Sequence, residues 1–268
     1  MLALELSKLL TRPRTWITIA LLAGLPVVVA VFLRSTRVGP RPGEGPALLS
    51  AVLNNGVLFP AAALALILPI FLPVATAVIA GDTIAGEASA GTLRYLLIRP
   101  VPRTRLLLAK LAAVVVFVLL AVLIVAGVGY VAGATLFGIK PLSASVSGST
   151  LTVTDTVVRT VVTIVYVVVS MLGLAAIALF ASTKTDSSLA AALAALATFV
   201  TSQVLDLLDA TRVIRPYLPT HYWLSFVDLY RDPVYWHDVA RGFGLQAVYI
   251  AVFLALAWAN FATKDVTS

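Results

Sequence analysis

Six long apolar runs, at 15–33, 57–80, 107–131, 157–181, 188–208 and 243–262, constrain this chain more than any other feature. A helix needs about 20 residues to cross the ~30 Å hydrocarbon core of a bilayer, and each run has that length. Runs this continuous, unlike the alternation of barrel strands, must be helical to satisfy their own backbone in lipid. With 60% hydrophobic and only 12% charged residues, the 268-residue chain has too few polar side chains to clothe a soluble core. The expected fold class is all-α integral membrane: one transmembrane domain over 1–268, multi-pass in the cell membrane.

The chain has no cysteine, which excludes disulfides and thiolate metal sites. A net charge of +7 points to loops facing the cytoplasm and anionic lipid, not to nucleic acid. The first run follows Glu5, Lys8, Arg12 and Arg14. It is long for a signal sequence and lacks a small-x-small site before Arg34, so it reads as an uncleaved first span. Six spans put both ends on one side. That side carries Lys8, Arg12, Arg14, Arg94, Arg99, Arg103, Arg105, Lys110, Lys184 and Lys264, ten basic residues against nine opposite. Basic residues in short loops near helix ends weigh most, which favours cytoplasmic N and C termini.

Charge gathers between the second and third runs, in "GDTIAGEASAGTLRYLLIRPVPRTRLLLAK" at 81–110. Each charge placed at the bilayer centre would cost about 3 kcal/mol. The segment 81–106 is therefore expected as a loop, with Asp82 capping a short helix and Pro100 and Pro102 ending it. Glu87 reads there as a solvated surface charge whose replacement by arginine leaves the fold intact. Gly81 and Gly86 have phosphate-loop spacing, but Glu87 and Ala88 stand where lysine and a hydroxyl are required.

Glu87, Gly91-Thr92-Leu93, Leu96-Leu97, Pro100-Val101, Arg103, Leu106-Leu107 and Lys110 resemble, over twenty-four residues without a gap, a signature of ABC-2 type permeases. Ser89 and Ala109 depart from it, where many members carry an acid or a glycine. The resemblance implies a type V exporter-like fold and the membrane subunit of an ATP-binding-cassette exporter. It further implies that 81–106 is a coupling helix docked on a separate ATPase subunit, through Glu87, Gly91, Thr92, Leu93, Arg94, Pro100 and Arg103. The permease would pair with a second copy or a sister chain. ATP and Mg would bind the partner ATPase, and this chain would need no cofactor or metal. The alternative for the stretch itself is a solvated positive loop without a partner.

Residues 1–14 set Leu2, Leu4, Leu9 and Leu10 against Glu5, Lys8 and Arg12, as an interfacial elbow helix does, with Pro13 turning into span one. A plain extension of span one is the other reading. Span two holds Pro60, Pro69 and Pro73, which suit either a flexing, path-lining helix or the ordinary proline content of membrane helices. Gly127, Gly129 and Gly133 in span three and the alanines of span five read as packing faces. β-Branched span four suits a lipid-facing or a tightly packed position. No span has an ionisable residue near its centre, which argues for motion driven from outside the chain.

The segment 209–242 gathers Tyr217, Tyr222, Trp223, Phe226, Tyr230, Tyr235 and Trp236 among acids and arginines. Helix is expected from Thr220 to Tyr230, turning most of Tyr222, Trp223, Phe226 and Tyr230 to one face that rests on span five or its symmetry mate. In the resembling family this position holds re-entrant helices that close the outer end of the path; an interfacial aromatic belt is the alternative. Asp206 and Asp209, three apart, are expected on one helix face, paired with Arg212 or Arg215 rather than catalytic. His221 and His237 are too far apart for a helical metal pair. An integral-membrane enzyme of lipid metabolism would need polar groups converging at one depth, and a non-transporting scaffold would need none. The transport reading leads both.

Overall fold

The computed structural model describes residues 2–36, 47–53, 55–91, 103–144 and 149–263. Its helices are α1 (Leu2–Thr11), α2 (Pro13–Thr36), α3 (Ala47–Val52), α4 (Phe59–Ile67), α5 (Phe71–Ser89), α6 (Arg103–Phe137), α7 (Val153–Lys184), α8 (Ser188–Leu207) and α9 (Trp236–Thr263). Six of these, α2 and α5 to α9, are long and apolar enough to cross a membrane. Strands β1 (Leu142–Ala144) and β2 (Thr150–Thr152) form a small antiparallel hairpin between α6 and α7, which the apolar pattern did not predict. Asn55 ties the start of the second span to it, donating through Nδ2 to the carbonyls of Lys140 and Leu142.

The β-branched helix α7 is the centre of the bundle. Two-thirds of its apolar window (67%) is buried against 17% for α9, so of the two readings left open for it, tight packing holds. It packs against α9, α5, α8 and α6, while α2 and α4 lean on α6.

Span two differs most from expectation. Instead of one helix over 57–80, α4 and α5 are separated at 68–70, where Pro69 supplies no N–H to continue the ladder. Pro60 and Pro73 fall in first turns, where a missing N–H costs nothing, so one proline of the three makes the break. Buried α4 lies against α6 because Gly129 and Gly133 lack side chains. A Cβ on Gly133 would come 2.2 Å from the Gly56 carbonyl oxygen, and one on Gly129 would come 3.1 Å from Pro60 Cα. Gly127 has nothing within 4 Å and takes no part in this packing. Likewise a Cβ on Gly81 would meet the backbone of Ala192 at 2.8 Å, so the alanine face of α8 is a packing face, turned to α5.

Candidate functional site

The loop expected from residue 81 begins later. Helix α5 continues through Asp82 and Glu87 to Ser89, so Asp82 caps nothing and both carboxylates belong to the last turns of the second span. It stops at Gly91, whose φ of +66° is the left-handed closure that glycine adopts freely, with its N–H bonded to the Ala88 carbonyl. Thr92, Leu93, Arg94 and Pro100 lie outside the described residues.

What lets two acids remain within a membrane-length helix is a set of cations from elsewhere in the chain. Glu87 is buried, 2.9 Å from Lys8 Nζ on α1 and 2.6 Å from Lys110 Nζ on α6. Glu5 of α1 closes the figure, 3.7 Å from Lys8 and 3.8 Å from Lys110. The four charges alternate in sign around a square. Lys110, 1% exposed, also donates to the Thr83 carbonyl at 2.6 Å, so its ammonium is coordinated from three sides. One turn along, Asp82 is held by Arg12 at 3.1 Å and by Arg14. Between these groups remains a cleft of only about 50 Å³, far below the size of a ligand pocket. This is a mechanical junction of α1, α5 and α6.

For Lys8, burial opposes its charge, but the hydrogen bond and attraction of Glu87, helped by Glu5, outweigh it and hold the ammonium above the usual lysine range. The expectation that Glu87 is a solvated surface charge is thereby corrected: it faces inward, and Glu87→Arg would set a third cation beside Lys8 and Lys110. Arg103 is the first residue of α6. It donates to the carbonyls of Phe261 and Ala262 at 3.3 and 2.9 Å, satisfying the C-terminal end of α9. Trp258 of α9 bonds Thr104 at 3.0 Å, and Asn260 bonds Thr183 at 2.9 Å. The N- and C-terminal helices are thus both fastened to the helix ends that flank 92–102.

The elbow is a separate helix, as one of the two readings of 1–14 has it, ending at Thr11 with α2 starting on Pro13. Glu5 and Leu9, one turn apart, face inward, while Leu2, Leu4 and Leu10 are exposed.

At the opposite end the lid departs from a continuous helix. Turns lead into a 3₁₀ helix over Ser225–Tyr230. Tyr222, Trp223, Phe226 and Tyr230 are nevertheless all buried, because irregular backbone spreads them over partners on α7 and α8. Trp223 stacks on Phe199 of α8 at 5.5 Å between ring centroids, so the expected rest on span five is met. The Tyr166 hydroxyl of α7 donates to the Tyr222 carbonyl, and Phe226 lies 6.4 Å from the Tyr166 ring. The Tyr230 hydroxyl sits 2.9 Å from that of Thr160 and 3.3 Å from that of Thr163, and burial pushes its pKa up to about 12. Arg159 clamps the carbonyls of Leu229 and Arg231 at 2.8 and 2.7 Å. Gln246 of α9 holds the Pro219 carbonyl at 2.6 Å.

Asp206 and Asp209 do not share a helix face. α8 ends at Leu207, and Asp209 opens a separate 3₁₀ turn. Asp209 pairs with Arg215 at 3.1 Å, as expected, but the partner of Asp206 is His221 at 2.6 Å. That pairing needs the lid folded back over α8, which residue spacing does not reveal. Residue spacing likewise does not bring Glu5, Lys8, Asp82 and Lys110 together as one site. The signal available was half of it: acids on a membrane-length helix require cations, but Arg103, Arg105 and Lys110 all follow on α6 and spacing does not choose among them.

Six apolar helices, with an ion-paired junction at one end and an aromatic lid at the other, define a multi-pass helical membrane protein. The chain belongs to the DUF2705 family of proteins of unknown function, whose model matches residues 49–267. That match begins within α3 and takes in Asp82, Glu87 and Lys110 but not the elbow. No curated protein matches the chain.

Proposed function

We propose that this chain is the permease subunit of an ATP-binding-cassette exporter of ABC-2 type in the cell membrane, with its ionic junction on the cytoplasmic side. A separate ATPase subunit binds ATP and Mg and docks on the segment following α5. A second permease copy or a sister chain completes the path. The observation that carries this reading is the charge square of Glu5, Lys8, Glu87 and Lys110. It joins the elbow to the two helix ends on either side of 92–102. A push on that segment would move α1, α5 and α6 together, as coupling to an external motor requires, where a flexible loop would dissipate it. The signature residues take two parts in this scheme: Glu87, Gly91 and Arg103 brace the coupling segment, and Thr92, Leu93, Arg94 and Pro100 meet the ATPase.

The test is affinity purification of the tagged chain from its native membranes in mild detergent. We expect a Walker-motif ATPase to accompany it, and Arg94→Glu to release that ATPase while the permease still elutes as a folded species. Recovery of the folded chain from native membranes with no ATPase would end the proposal.

A further inference from the structure

Where α7, α8 and α9 approach the end that carries both termini, they enclose a groove of about 360 Å³, within the ~300–1,000 Å³ range of ligand sites. Phe180 of α7 and Phe253 of α9 line it, and the facing side of α8 is Ala190, Ala194 and Thr198, successive positions one turn apart. These three side chains are exposed and small, so the groove exists because α8 has nothing there to fill it. Ala191, buried, borders the groove, and the opposite face with Ala192 and Ala195 buried is the one packed on α5.

Depth and charge together identify an occupant. From Ser188 to Thr198 a helix rises about 15 Å, half of the ~30 Å hydrocarbon core, which is the depth of one leaflet when the start of α8 lies at the membrane surface. At its mouth stands Lys184, the last residue of α7, with Nζ 5.8 Å from the Phe180 ring centroid. A lysine so placed lays its stem on apolar surface and keeps its ammonium at headgroup level. The N-terminus of α8 begins beside it, with Ser187 capping the Ala190 N–H, and its dipole adds positive potential. Asp186 in the same turn has interactions of its own.

We propose that this groove holds one acyl chain of an anionic phospholipid from the leaflet at the terminal end, with the headgroup phosphate against Lys184. The site is independent of whether the chain transports anything. The experiment is native mass spectrometry of the purified protein released from nanodiscs of mixed phosphatidylglycerol and phosphatidylcholine. The wild type should retain one phosphatidylglycerol. Ala194→Phe, which fills the groove, should lose it. Leu193→Phe, which places the same ring at the neighbouring exposed position outside the groove, should keep it. Lys184→Gln should keep a chain but lower the preference for phosphatidylglycerol about fivefold, the effect of about 1 kcal/mol per basic group at an anionic surface. Unchanged lipid retention in Ala194→Phe would overturn the proposal. So would loss of a dimer in that variant with lipid retained, since a second copy would then be the occupant. If Ala194→Phe fails to fold, Lys184→Gln decides alone, and an unchanged lipid preference in it refutes the site.

Discussion

At the end carrying the termini, Glu5, Lys8, Glu87 and Lys110 hold three helices together through alternating charge. At the opposite end the lid is held mainly by stacked rings, threonine hydroxyls and backbone carbonyls, with Arg159 clamping it to α7 and His221 meeting Asp206 of α8. Both regions bury polar groups beside lipid, but they respond to different perturbations. Ion pairs attract over several ångströms in many geometries, so they tolerate small sliding of one helix past another, and salt screens the exposed ones. Rings and hydroxyl bonds act only in contact, so they fix one arrangement. The first kind of bond can hold while its helices shift, and the second holds one arrangement only.

The comparison is broken most severely at the lid. Trp223→Ala and Phe226→Ala each empty a buried aromatic site, at about 3–5 kcal/mol apiece, and the double variant should show the largest loss of thermal stability in detergent. Full stability in that variant would mean these rings contribute no packing.

At the ionic end, Glu87→Gln leaves Lys110, among the described residues, with only Glu5 at 3.8 Å as an acid, and breaking a buried pair in this way costs about 3–5 kcal/mol. Adding Lys110→Met should recover part of the loss, which a denaturant titration of the single and double variants would detect. An additive double variant would mean that the two charges do not interact.

Alkali sharpens the contrast further. Both Tyr230 and Lys8 have folded pKa values raised above their unfolded ones, so the stability each contributes is complete below its unfolded pKa and is lost as pH rises through the folded value. For Tyr230 that window runs from the ordinary tyrosine value of 10.0 up to about 12, and about 2–3 kcal/mol of lid stability should fade across it. Lys8 begins to lose its contribution only above 10.5, and because it is about one-third exposed, screening keeps the effect within about 0.2–1 kcal/mol. Unfolding measured across this range should flatten clearly in Tyr230→Phe and barely in Lys8→Met. The reverse ranking would exchange the roles assigned to the two ends.

The span count was legible in the sequence because a bilayer demands about 20 apolar residues of every crossing, and local composition records that demand directly. The elbow ending before Pro13 and the stop of α5 at Gly91 follow equally local rules of proline and glycine. Legible in part was the lid: its aromatic density announced burial or an interface, but the choice between them depended on Phe199, Tyr166 and Thr160, which come from other helices. The prolines of span two left the place of the break undecided, since Pro60 and Pro73 are harmless in first turns and Pro69 is not.

The tertiary structure alone decided what the charges do. A carboxylate on an apolar helix reads as a boundary, because its desolvation cost is visible in the sequence and its partner is not. Glu87 lies seventy-nine residues from Lys8, and Asp82 is seventy and sixty-eight from Arg12 and Arg14. Only the packing of α1, α5 and α6 brings those cations close enough to offset the cost. Period and composition fix what a segment must hide, and three-dimensional neighbours fix what it can keep.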